Sequence, residues 1–170
     1  MSSNVQNSDS PRFSRRNAVK IATVAGGALA SMRGVHAQTQ STEVIRVGLV
    51  GCGGRGTGAL TQALSVDGSN VKVTAVADAF ESNISRTLRA VEKMKDKVDL
   101  PKERQFHGLD AYKKVLDHCD LVILATPPGF RPYHFEAAIN AGKHVFMEKP
   151  VCVDSAERVL CSKLQRRLMK

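Results

Sequence analysis

Residues 44–60 read VIRVGLVGCGGRGTGAL, an apolar and β-branched run that passes directly into a stretch where six of thirteen residues (48–60) are glycine. Val44 to Val50 suits a strand buried on both faces that ends at Gly51. The segment behind it, GRGTGALTQALSV, offers Ala59, Leu60, Ala63 and Leu64 at helical spacing, and DGSN stops it. Gly51, Gly53 and Gly56 therefore form G-x-G-x-x-G between a predicted strand and a predicted helix. In such a turn the first glycine permits the tight bend and the second lets the backbone approach a pyrophosphate. The third lets helix and strand pack closely. A pyrophosphate would lie at the helix N-terminus, where free N–H groups and the positive end of the macrodipole meet it. Gly54 and Arg55 belong to the same loop, and the Arg55 guanidinium is placed to contact either a phosphate or an adenine face.

Asp78 supports the same reading. It closes the second strand, VKVTAVAD, 22 positions after Gly56, where dinucleotide folds place a carboxylate that accepts hydrogen bonds from the adenosine ribose. A carboxylate there repels a 2′-phosphate, so the expected cofactor is NAD rather than NADP.

Beyond Asp78 the alternation of strand and helix continues. From Glu81 on, Ile84, Leu88, Val91, Met94 and Val98 fall near one helical face, broken by DLPKE. A short strand near RQF and a helix through DAYKKVLDH follow. LVILAT, bounded by Asp120 and Pro127, reads as a central parallel strand. A helix over about 132–141 ends at Gly142, KHVFME is the fifth strand, and Asp154 is placed to cap a last helix starting near Ser155. This order predicts an α/β, Rossmann-like doubly wound parallel sheet with right-handed crossovers.

The chain carries 25 Lys plus Arg against 16 Asp plus Glu. The excess sits at the two ends, and the middle is close to balanced. With six Phe, two Tyr and no Trp to stack on bases, the charge does not argue for a nucleic-acid partner. The N-terminal basic residues open a polar n-region, followed by an apolar stretch from Ala18 to Ala30 and by Val35-His36-Ala37, with small residues where a signal peptidase reads. The apolar stretch is too short to span a bilayer. SRRNAVK resembles the twin-arginine export signal at Ser14, Arg15, Arg16 and Lys20, and departs from it at Ala18. Cleavage after Ala37 and a periplasmic location are expected. Cys52, Cys119, Cys152 and Cys161 show neither metal-ligand spacing nor CxxC. They read as buried or incidental thiols, with Cys161 the one open to exposure.

GLVGCGGRG, ATPPGFRPYHFEAAINAGKHVFMEKPVCVD and the leader together resemble the glucose-fructose oxidoreductase and inositol dehydrogenase family, Gfo/Idh/MocA, over roughly residues 44–160. AGKHVFMEKP is the most specific element. The resemblance implies that Glu148-Lys149-Pro150 is the family's Glu-Lys-Pro motif, with Lys149 beside the nicotinamide and the substrate and acting on proton movement at the reacting carbon. It also implies a cis Lys149–Pro150 bond. Thr126, Pro127 and Pro128 would form the loop under the nicotinamide half of the cofactor, with His134 near that ring. Members of the family continue into a second, substrate-binding domain, for which this sequence has no counterpart. The expected layout is a leader over 1–37, a linker over 38–43, a dinucleotide-binding domain over 44–160 with the substrate domain absent, and a basic tail over 161–170. Two functions stay open: the NAD domain of an oxidoreductase acting on a sugar or cyclitol, and a dinucleotide-binding module without turnover. A sugar-like partner is expected only with a substrate domain, and a homo-oligomer is compatible with either.

Overall fold

The computed structural model describes residues 43–168. The leader expected over 1–37 and nearly all of the linker lie outside the described residues. Ile45–Val50 (β1) is buried over its last four residues and forms the middle of a five-stranded sheet of order β3-β2-β1-β4-β5. The other strands are Val71–Asp78 (β2), Gln105–His107 (β3), Leu121–Leu124 (β4) and His144–Met147 (β5). Every pairing is parallel, so each strand is followed by a crossover back to the starting edge. The helices are Gly54–Leu64 (α1), Glu81–Val91 (α2), Ala111–Leu116 (α3), Arg131–Asn140 (α4) and Ser155–Leu168 (α5). None of the described helices is long and apolar enough to cross a membrane.

The helices cover both faces of the sheet, and the core divides accordingly. One cluster joins Val47, Leu49, Leu60, Leu64, Val73, Val76, Ile84 and Val91 under α1 and α2. The other joins Val50, Ala75, Val115, Val122, Leu124, Phe135, Ala138, Cys161 and Leu164 under α3, α4 and α5. Adjacent β1 residues thus serve opposite layers, Leu49 one and Val50 the other, as the two-residue period of a strand requires. The continuous apolar runs follow from this, because both faces are dry.

Two boundaries differ from the sequence reading. The helix begun at Glu81 ends at Val91, and Lys95–Lys97 is a 3-10 turn. Val98 bridges to Val73, and Asp99 N–H donates to the Val73 carbonyl at 2.9 Å. Met94 and Val98 still pack on the core beneath α2, but a backbone partner on the sheet edge has replaced the last helical turns. The basic tail expected from 161 is the second half of α5. Cys161 and Leu164 are buried, so Cys161 is not exposed. Position 160 falls in mid-helix because the apolar stripe of α5 continues through it beneath a run of exposed Lys and Arg. Asp154 does start this helix: its Oδ1 accepts from Glu157 N–H at 2.8 Å, an N-cap bond to the third helical residue, and Glu157 Oε2 accepts from Val153 N–H, one residue before the cap, at 3.0 Å.

Candidate functional site: a cavity at the carboxyl ends of the strands

In sheets of this order the direction of winding reverses between β1 and β4, and the two outgoing loops part to leave a crevice. Gly51 N–H donates to the Ala77 carbonyl and Ala125 N–H to the Val50 carbonyl, each at 2.8 Å, so the ends of β2, β1 and β4 are level. Above them lies a cavity of about 620 Å³. That is within the range of roughly 300–1,000 Å³ common for small-molecule sites.

The glycine loop forms its floor. Gly51 has φ +97°, and a Cβ there would stand 2.7 Å from the backbone of Ala125 and Thr126, which excludes any side chain. A Cβ on Gly56 would fall 1.8 Å from the Gly51 carbonyl oxygen, so α1 packs on the strand end through bare backbone. Gly53 is different. Its φ of −69° and ψ of −178° suit any residue, and a Cβ there would meet nothing in the chain within 4 Å. No contact within the chain requires glycine at this position, which lines the cavity. No side chain caps the start of α1, and its first turn holds no acidic residue. The helix therefore presents unpaired N–H groups and positive dipole to an anion. These features fit the pyrophosphate of a dinucleotide.

Asp78 stands at the end of β2 with three donors on its carboxylate. Oδ2 accepts from Cys52 N–H at 2.7 Å, and Oδ1 accepts from Phe80 N–H at 2.9 Å and from Asn83 Nδ2 at 3.0 Å. The acid thereby ties the glycine loop to the β2 exit. Phe80 and Leu109, 67% and 71% exposed, line the cavity beside it together with Tyr112 and Phe130, an apolar rim suited to a flat ring.

The other end of the cavity is built around His134. Its Nδ1 lies 3.0 Å from Thr126 Oγ1, and the Tyr112 ring sits 4.2 Å from its own, centroid to centroid. Burial pushes the imidazole down to about 4, so it is neutral near pH 7. Thr126 does not cap α4, whose N-cap is Phe130. Glu148, 6% exposed, meets Arg55 of the glycine loop, Oε1 to Nη2, at 2.5 Å. The contact is a close ionic one, outside hydrogen-bond angles. Arg55 holds the Glu148 carboxyl below its ordinary range. Lys149 is exposed, and the Lys149–Pro150 bond is cis.

Of the residues singled out from the sequence, Gly51, Gly53, Gly54, Arg55, Gly56, Asp78, Thr126, Pro127 and His134 line this one cavity. Pro128, Glu148 and Lys149 do not line it. Glu148 is joined to it through Arg55, and Lys149 follows Glu148 in the chain.

Sequence reasoning missed Arg131. This guanidinium lines the cavity and is 5% exposed. Its Nε donates to the Thr126 carbonyl and its Nη1 to the carbonyls of Glu148 and Pro150, each at 2.5 Å. One signal was present in the sequence: an arginine in the first turn of a helix opposes the helix dipole and needs another reason to be there.

The family model for an "Oxidoreductase family, NAD-binding Rossmann fold" matches residues 45–168. The chain belongs to the Gfo/Idh/MocA oxidoreductase family. Its Gfo/Idh/MocA relatives include a glycosyl hydrolase family 109 protein of Streptomyces coelicolor, 35% identical over 73% of this chain and 25% of the relative. Another is an alpha-N-acetylgalactosaminidase of Shewanella oneidensis, 32% identical over 68% of this chain and 27% of the relative. Among solved structures, apo scyllo-inositol dehydrogenase from Lactobacillus casei superposes with a TM-score of 0.55 at 25% identity, over 75% of this chain and 34% of the other. This Gfo/Idh/MocA chain thus spans about a quarter to a third of the length of the relatives it matches. Residues 45–168 are the family's NAD-binding domain.

Proposed function

We propose that this chain is the cofactor-binding part of an oxidoreductase that moves a hydride between NAD and a carbon of a sugar or cyclitol. One observation carries the reading: the bare α1 N-terminus, the open Gly53 position and the Asp78 carboxylate converge on a single cavity. Bound NAD supplies the hydride chemistry, and the protein positions it. Gly53, Gly54 and the N-terminus of α1 would hold the pyrophosphate, with Arg55 beside it, and Asp78 would accept from the adenosine ribose. Thr126, Pro127, Pro128 and neutral His134 support the nicotinamide half. Glu148 orients Arg55, and Lys149 exchanges the proton of the hydroxyl oxygen on the reacting carbon. NADH fluorescence tests the binding: the isolated chain should enhance and blue-shift the emission, and Lys149→Met should retain that binding. In the protein recovered from its source, Lys149→Met should abolish turnover of a sugar or cyclitol alcohol. NADH binding with no turnover in the unmutated protein would leave a dinucleotide-binding module.

The family 109 relatives favour a second reading, net hydrolysis of a glycoside by an NAD-dependent route. The two are separated by the products. Dehydrogenation accumulates reduced cofactor in proportion to substrate, whereas hydrolysis releases the aglycone with no net NADH.

We also propose that residues 1–37 direct twin-arginine export to the periplasm, which would let the domain fold around its cofactor before crossing the membrane. Mass spectrometry of the mature protein should find Gln38 at its N-terminus. Replacing Arg15 and Arg16 with Lys should retain the precursor in the cytoplasm.

A further inference from the structure

Resting on the dinucleotide reading above, we propose that Arg131 is a positioning residue that fastens the loop after β4 to the loop after β5, fixing the nicotinamide end of the cavity while leaving the adenine end untouched. A guanidinium offers five N–H donors in a rigid planar fork. Arg131 directs three of them to main-chain carbonyls on two separate loops: Nε to Thr126, Nη1 to Glu148 and Pro150. The last two carbonyls flank Lys149 in the chain. The backbone of the motif lysine is thus held on both sides by one buried side chain.

A packing role alone does not account for this residue. Among the described residues no carboxylate lies within ion-pair distance of Arg131, and burial lowers its pKa against a smaller opposing effect of the Glu148 carboxylate. A cation in the first turn of α4 also faces the positive end of the helix dipole. A neutral side chain would fill the same volume without these penalties. What a neutral side chain cannot do is donate in one plane to carbonyls of two loops. The Nη2 group makes no hydrogen bond among the described residues, and Arg131 lines the cavity. Donor capacity therefore remains for a carbonyl or hydroxyl oxygen on the nicotinamide half of a bound cofactor. The adenine end, formed by Asp78, Phe80 and Leu109 at the exits of β2 and β3, has no hydrogen bond to Arg131.

The test compares two ligands on one protein. ADP carries the adenosine and pyrophosphate of the cofactor but neither the second ribose nor the nicotinamide. Calorimetric titrations of the chain, its Arg131→Met variant and its Arg131→Lys variant with NADH and with ADP should separate the two ends. The expected result for Arg131→Met is NADH affinity reduced roughly tenfold, with ADP affinity within about twofold of the unmutated chain. Arg131→Lys, which keeps the charge but loses the fork, should fall between. If Arg131→Met does not fold, Arg131→Lys carries the same comparison. Equal weakening of both ligands, or no weakening of NADH in a folded variant, overturns the proposal. An unmutated chain that binds neither ligand overturns the dinucleotide reading itself, a separate and recognisable outcome.

Discussion

The two glycines at positions 53 and 56 stand three residues apart in one loop, yet replacing each with alanine should have opposite consequences. At Gly56 the new Cβ would lie 1.8 Å from the Gly51 carbonyl oxygen and 3.1 Å from Ala125 Cβ. Carbon–oxygen contacts settle near about 3.3 Å, so α1 must retreat by roughly 1.5 Å. That retreat opens space beneath Leu60 and Leu64, both fully buried against β1 and β2. A gap of about 1 Å already forfeits up to half of a contact's dispersion energy. Overpacking of this kind costs about 1–3 kcal/mol or more, and the better helix propensity of alanine returns about 1 kcal/mol. The net expectation is a loss of about 2 kcal/mol, or roughly 6–10 °C in melting temperature for a domain of this size. At Gly53 the backbone is extended and the new methyl meets no protein atom, so stability should stay within about 0.5 kcal/mol. That methyl would occupy cavity space, and NADH binding should weaken. Thermal melts without ligand and NADH titrations of both variants suffice. A Gly56→Ala variant that melts with the unmutated chain would refute the packing argument, and a Gly53→Ala variant that binds NADH normally would refute the role of the open position.

Removing the Asp78 carboxylate by Asp78→Ala leaves Cys52 N–H, Phe80 N–H and Asn83 Nδ2 without their acceptor. NADH affinity should fall and the preference for NADH over NADPH should narrow; an unchanged ratio in paired titrations contradicts the ribose assignment. His134, whose folded pKa is depressed to about 4 from about 6.5, stabilises the fold fully above its unfolded value and loses that contribution as pH falls toward about 4. Its ring resonances should stay unchanged between about pH 8 and 6 in NMR titration, and a midpoint near about 6.5 would show that the ring is hydrated. Glu148 is depressed by Arg55, so the pair stabilises above the ordinary carboxylate range and is lost as pH falls through the lowered value. The melting-temperature difference between the unmutated chain and Glu148→Gln should accordingly be present at neutral pH and vanish in acid. A difference that persists in acid would mean that the ion pair is not its source.

Much of this fold is legible along the chain because its signals are local. A dry central strand must be apolar at every position, as Leu121 to Leu124 is. The glycine loop is dictated by contacts within a few residues of itself, Gly56 against Gly51. Asp78 is visible because it closes β2, a strand end that the alternation locates. The misplaced features depend on distant partners. Val98 has a helical spacing that its backbone bridge to Val73 overrides. Cys161 and Leu164 are buried in the core on the α4 side, although basic residues surround them in sequence. Arg131 acquires its meaning only when loops after two different strands bring three carbonyls around it, a convergence that no spacing within 126–150 encodes. The Arg55–Glu148 pair shares that origin, since the two lie 93 positions apart and meet only across the crevice.

The bonding of Asp78 also bears on how the cofactor preference of such a domain can change. One of its oxygens holds the glycine loop through Cys52 N–H and the other holds the β2 exit through Phe80 and Asn83, so the carboxylate proposed to meet the ribose is also a tether for the glycine loop. Replacing it with a small neutral or basic residue to admit a 2′-phosphate would slacken the loop proposed to hold the phosphates of either cofactor. A working conversion to NADP therefore needs a second substitution that supplies a new acceptor for Cys52 N–H, and single-site libraries at position 78 should yield variants that lose NAD without gaining NADP.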